Sequence, residues 1–164
     1  MAYSLGIDFG TSSVRAVLLD CTTGEEAASS EERYPSGVDG VITDPSNPHL
    51  ARQNPADYLA TLGFVVRRCM ESAGIRSNEV IGIGVDATGS TPIPVDAAMR
   101  PLSFNARFSG NPNAMAWLWK DHTAAAEAEE ITAAARRMRP LYLAKTGGAY
   151  SPEWFFSKIL HLCR

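Results

Sequence analysis

"LGIDFGTSSVRAVLLD", residues 5–20, decides how the chain begins to fold. Residues 3–9 and 14–20 are both rich in apolar and β-branched side chains, and Gly10, Thr11, Ser12 and Ser13 separate them. Two such runs around a short turn predict a pair of antiparallel strands. Asp8 interrupts the first run. A carboxylate inside an apolar strand is costly unless it is hydrogen-bonded, paired or close to a cation. Gly10 allows close approach of a ligand to the backbone. Successive N–H groups and the hydroxyls of Thr11, Ser12 and Ser13 then suit phosphate oxygens. Asp8, just below them, suits a Mg²⁺ held through water, and Arg15 adds positive charge. An ordinary strand–turn–strand with a capped aspartate is the competing explanation.

Beyond the hairpin, Gly24 marks a second turn and residues 25–33 return as a third strand. Residues 35–55 carry "YPSG", "DPSNP" and "NP" and read as a long loop. "NPADYLATLGFVVRRCMESAG", residues 54–74, reads as a helix. Asn54 is its cap, Pro55 takes the first turn, Gly74 ends it, and Tyr58, Leu62, Val65, Val66 and Cys69 share one face. Val80–Val85 is a short apolar run, expected as a strand covered on both faces. A further strand is expected at Ile93–Asp96. The alanine-rich stretch from Thr123 predicts a helix with Thr123 as N-cap and Pro140 beyond its end. Strands with helical crossovers make this an α/β layered domain.

The chain has 164 residues, 45% of them hydrophobic, enough for a core of its own. Its net charge of −3 and lack of a basic block argue against nucleic-acid or membrane-surface binding. Three scattered cysteines favour neither a disulfide framework nor a zinc site, and a reducing cytoplasm suits them. Neither a secretory leader nor a membrane-spanning run is seen. "PEWFFSKILHLCR" reads as an amphipathic helix that stops at Arg164 without a cap. More chain is therefore expected after it, and its apolar face is a candidate for self-association into a homodimer.

Two further stretches carry chemistry. Asp86, Thr88 and Gly89 follow the end of an apolar strand, where open α/β sheets bind ligands. Small polar residues there suit a polyol, although the same composition makes an ordinary turn. In "WLWKDH", Trp117 reads as core and Trp119 as a wall for sugar C–H edges, with Lys120 and His122 as polar contacts. Glu153 stands at the start of the last helix, where an acidic residue is also favourable for structure alone.

Together these stretches resemble the FGGY carbohydrate kinases. "GIDFGTSSVRAVLLD" is similar to the first phosphate hairpin of the actin, hexokinase and heat-shock-70 superfamily. "VIGIGVDATGSTPIPVD", "NPNAMAWLWKDHTAAAEAEEI" and "GGAYSPEWFFSKIL", in that order, look like the ribulokinase branch. The resemblance implies an α/β, ribonuclease-H-like fold, with residues 1–164 as the N-terminal part of the kinase's N-terminal domain. It implies ATP with Mg²⁺ as cofactors, L-ribulose or D-ribulose as the sugar substrate, and the 5-phosphate as product. Asp8 would help place the metal, and Gly10–Ser13 with Arg15 would meet the γ-phosphate. Gly89 would lie beside the sugar, Trp119 would match the family's sugar-wall tryptophan, and Glu153 would fall near a substrate-contacting position. The catalytic base, the second phosphate hairpin and the adenosine pocket would lie beyond Arg164, in a C-terminal domain of the same chain, leaving residues 1–164 inactive alone. Ala87, Ser90–Pro92 and Asp121 depart from the family pattern, and "WKDH" leans toward D-ribulose. The alternative is a non-catalytic module that binds a sugar or a partner through the same half-fold.

Overall fold

The computed structural model describes residues 2–164, which divide into two compact units: 2–41 with Asn54–Thr88, and Ile42–Gln53 with Gly89–Arg164.

In the first unit, strands β1 (Tyr3–Phe9), β2 (Ser13–Asp20) and β3 (Glu26–Arg33) form an antiparallel meander. Residues 34–54 then lead to helix α1 (Pro55–Ala73), and a later strand of the same sheet, β6 (Val80–Ala87), pairs parallel to β1. The sheet order is β3-β2-β1-β6. The two-residue period of the strands sorts their side chains. Leu5 and Ile7 of β1 and Val14, Ala16 and Leu18 of β2 are buried with Val65 and Cys69 of α1. Gly6, Asp8 and Arg15 fall on the opposite, open side. Asp8 is thus exposed, and the burial cost expected of a carboxylate in this strand does not arise.

Helix α1 begins and ends where the local chemistry directs. The Asn54 side chain accepts the Ala56 N–H at 3.1 Å, and Gly74 closes the helix with φ 65°. Asn54 also donates to the Ser36 hydroxyl at 3.2 Å, and the buried Asp57 accepts both the N–H and the hydroxyl of Ser36 at 3.0 Å. Asn54→Ala is expected to cost about 1 kcal/mol, read as a lowered urea midpoint, while Asn54→Asp retains most of it.

Strand β6 corrects one expectation. It is not covered on both faces: Ile81, Ile83 and Val85 are 71%, 66% and 64% exposed. Their side of the sheet is the α1 side, since Ile83 pairs with Leu5 and Val85 with Ile7. Helix α1 packs chiefly over β2 and β3, and its Val66 and Met70 line an open hollow with Ile81 and Ile83 of β6. An apolar run shows that a strand seeks cover; it does not show which element supplies it.

The second unit holds a small antiparallel sheet, order β4-β5-β7, from β4 (Ile42–Asp44), β5 (Asn47–Gln53) and β7 (Ala116–Trp117). Helices α2 (Ala125–Met138), α3 (Pro140–Lys145) and α4 (Phe155–Leu162) complete it. Residues 35–55 are therefore not one long loop, because β4 and β5 lie within them. The expected strand at Ile93–Asp96 is also absent; Val95 makes only an isolated bridge to Pro101. Prolines at 92 and 94 deny that segment two ladder donors. Thr123 is not the cap of α2: the helix follows Ala124, and the Thr123 hydroxyl donates instead to Asp121 at 2.5 Å.

The core of this unit is partly ionic. Arg52 of β5 pairs with Asp121, both fully buried, and the guanidinium carbon stacks 3.4 Å from the Trp117 ring centroid. Asp121 also accepts the Ala51 N–H at 2.7 Å and the Thr123 N–H at 3.0 Å. Burial lowers the Arg52 pKa from its ordinary value, to about 9.

Candidate functional site

The hairpin between β1 and β2 is closed by the Gly10 N–H, which donates to the Ser13 carbonyl at 2.9 Å. A β-carbon on Gly10 would stand 3.3 Å from that oxygen, so the turn has little room for a side chain. On the other side of the turn the Ser12 carbonyl accepts the Tyr34 N–H at 3.0 Å, tying the hairpin to the chain after β3.

Asp8, Gly10, Thr11, Ser12, Ser13 and Arg15 all line one cavity of about 340 Å³, together with Glu31 and Arg33 of β3. Six residues read from the sequence as phosphate- and metal-facing are thus neighbours around one hollow. Glu31 and Arg33 are not among the residues that the sequence singled out. Glu31 lies directly across from Arg15 in the β2–β3 register. It accepts the Ser13 hydroxyl at 2.7 Å and pairs with Arg15 at 3.4 Å. The Ser13 hydroxyl foremost, then Arg15 and Arg33, hold its carboxyl below the usual carboxylate value. An opposite-charge pair across two strands is a recurrent sheet contact, so Glu31 could have been found once the hairpin register was assumed.

Asp86 comes to the same end of the same sheet. The parallel register sets Asp8 of β1 beside Asp86 of β6, and both line the open face with Arg15 and Glu31. Asp86 accepts the next N–H, that of Ala87, at 2.9 Å. Thr88 continues the strand end, its N–H donating to the Phe9 carbonyl at 3.2 Å. Two exposed carboxylates beside a cradle of hydroxyls and amides suit a largely hydrated Mg²⁺, which takes one or two carboxylates and completes its shell with water and phosphate oxygens. No cluster of three or more His, Cys, Asp or Glu exists among the described residues, so an all-protein metal cage is not what this geometry offers.

The remaining candidates lie in the second unit. Trp117 is fully buried and Trp119 is 41% exposed; two positions apart they would share a face of an extended strand, but the strand ends at Trp117 and a turn begins at Trp119. Lys120 is exposed beside it. His122 and Glu153, 31 residues apart, meet at 2.7 Å with both side chains partly exposed. The His122 N–H is held by the His49 carbonyl at 2.9 Å. Gly89 has open space around the position of a β-carbon. Trp119, Lys120, His122 and Glu153 thus come from two short stretches of this unit.

A model of the FGGY family of carbohydrate kinases, N-terminal domain, matches residues 3–160. The chain belongs to this family. A ribulokinase of Shouchella clausii is 42% identical over 161 residues, covering 96% of this chain and 29% of the relative. A ribulokinase of Vibrio parahaemolyticus is 38% identical over 156 residues, covering 94% of this chain and 27% of the relative. The chain therefore spans less than a third of the length of these curated relatives. Among solved structures, a xylulose kinase from Brucella ovis superposes with a TM-score of 0.76 at 22% identity, covering 99% of this chain and 29% of its own. One from Rhodospirillum rubrum gives 0.65 at 18% identity, covering 87% of this chain and 25% of its own. These likenesses establish the α/β, ribonuclease-H-like fold that the family resemblance implied. No helix among the described residues is long and apolar enough to cross a membrane.

Proposed function

We propose that the complete polypeptide carrying residues 1–164 transfers a phosphoryl group from ATP to a ketopentose, L-ribulose or D-ribulose, forming the 5-phosphate. The observation that carries this is the hollow at the β1–β2 turn, where Asp8, Gly10–Ser13 and Arg15 converge. Its support from outside the structure is the 42% identity to a protein named ribulokinase.

In this reading residues 1–164 are the N-terminal part of the kinase's N-terminal domain, and a second domain completes the enzyme. Backbone N–H groups and hydroxyls of the turn receive the transferred phosphate's oxygens, and Arg15 exchanges part of its contact with Glu31 for them. Asp8 would hold hydrated Mg²⁺, which would supply neutralisation of the phosphate charge; Asp86, read from the sequence among the sugar contacts, is reassigned to the same ion because it pairs with Asp8 in register. Thr88, Gly89, Trp119, Lys120, His122 and Glu153 contact the sugar: Trp119 offers an apolar face, and the His122–Glu153 pair offers donors and acceptors to hydroxyls. No residue in 1–164 is assigned as the base that takes the proton of the acceptor hydroxyl; that carboxylate belongs to the rest of the enzyme.

The test is ADP release by the complete polypeptide with ATP, Mg²⁺ and, separately, L-ribulose, D-ribulose, L-xylulose, D-xylulose and glycerol. Turnover is expected to be highest with one of the two ribuloses, and residues 1–164 alone are expected to give none. Sugar binding without turnover in the complete polypeptide would replace the kinase by a non-catalytic sugar-binding module. Turnover by residues 1–164 at ordinary kinase rates would overturn the placement of the base outside them.

A further inference from the structure

Lys158 of α4 is fully buried, and among the described residues its ammonium bonds are to backbone carbonyls rather than to a carboxylate. Its ammonium donates to the Ser90 carbonyl at 2.7 Å and to the Leu118 carbonyl at 2.8 Å, with the carbonyls of Trp117 and Trp119 each at 3.4 Å. An ammonium has three protons and no acceptor capacity. Two short bonds and a third proton shared between two longer contacts therefore use the group fully. Burial and the nearby Arg52 push the Lys158 pKa down to about 8, opposed by Glu153, so the group is still mainly charged at neutral pH.

A buried cation is an expensive way to fasten a helix, since an apolar side chain of similar volume is often as good or better for stability. What it holds is informative. Ser90 has φ 51°, a left-handed backbone that a residue with a β-carbon adopts at a cost, and its carbonyl makes the shortest contact to Lys158. Ser90 directly follows Gly89, and the other three carbonyls belong to the segment that ends in Trp119. Lys158 itself stands five residues after Glu153, which holds His122.

We infer that Lys158 is a positioning residue of the sugar half-site: its ammonium clamps the main chain at Ser90 and at Trp117–Trp119, fixing where Gly89 and Trp119 are presented. Lys158 touches neither nucleotide nor sugar in this role; it acts through the loops it fastens. The identity of the presented ligand rests on the function proposed above, whereas the clamp rests on the carbonyl geometry alone.

The test compares wild type with Lys158→Met, which keeps length and volume but has no donor, and Lys158→Gln, which keeps one donor group. All are made in the complete polypeptide. Lys158→Met is expected to raise KM for the accepted ribulose by about tenfold or more while KM for ATP stays within about twofold, with Lys158→Gln intermediate. In the absence of any sugar, amide hydrogen exchange at residues 90–91 and 118–120 is expected to quicken by about tenfold or more, with exchange in α1 unchanged. A sugar KM within twofold of wild type in a folded Lys158→Met protein would overturn the positioning role, as would equal losses for sugar and ATP. If Lys158→Met does not fold, Lys158→Gln is judged by the same two criteria. If wild type phosphorylates no ketopentose, the proposed function fails by itself, and the exchange comparison still decides the clamp: unchanged exchange at both segments overturns it.

Discussion

Asp8→Asn in the complete polypeptide is expected to lower kcat by roughly 10²–10³-fold while leaving sugar affinity within about twofold. The substitution keeps size and hydrogen-bonding capacity at the end of β1 and removes only the charge. Because Asp8 is exposed on the open face, its loss leaves no buried group unpaired and the fold should tolerate it. The neighbouring Asp86 still offers one carboxylate, so the deficit should be partly relieved by raising Mg²⁺, and Asp8→Asn with Asp86→Asn should lose that relief. Steady-state kinetics over a Mg²⁺ series, with sugar binding measured by calorimetry, separates the two quantities. A fall in sugar affinity as large as the fall in turnover would place Asp8 on the sugar rather than on the phosphate side.

Asp121→Asn is expected to destabilise the second unit by about 3–5 kcal/mol, the usual cost of removing one partner of a buried ion pair. Arg52 would remain fully buried with no anion beside it. Asn can still accept the Ala51 N–H, so a large loss would report the charge rather than that hydrogen bond. Urea unfolding of the 164-residue chain, followed by tryptophan emission, suits the measurement because all three tryptophans lie at or beyond residue 117. The control is Arg52→Met combined with Asp121→Asn: replacing both charges should recover a good part of the loss. A single Asp121→Asn cost below about 1 kcal/mol would mean that water or another acceptor reaches the guanidinium.

What the sequence conveys well here is what neighbours in the chain determine. The β1–β2 hairpin and both ends of α1 follow from a turn, a cap and a glycine, and the structure has them where these residues stand. Trp117 and Trp119 separate into core and surface because the strand ends at Trp117 and the turn that begins at Trp119 redirects the chain; strand periodicity alone would have put both on one face. The failures share one cause. Strands β4 and β5 sit in a stretch whose prolines, glycines and asparagines signal turns, and what orders β5 is distant: Asp121 holds the Ala51 N–H across 70 positions. Lys158 is a lysine in an apolar helix, which by itself suggests a side chain reaching water, and only the folded chain brings four carbonyls to it. Glu31 was invisible for a milder reason, since its partner Arg15 is found only by placing β3 in register.

Strand β6 has a consequence for the segment as a material. Among the described residues it is the last strand on its side of the sheet, so its outer row of peptide N–H and C=O groups meets no neighbour, and three branched apolar side chains flank that row. Such a border is a template on which another extended backbone can lie. For residues 1–164 taken alone, this border of eight residues is expected to favour edge-to-edge association, and Ile83→Lys is expected to reduce it, as read by light scattering against concentration.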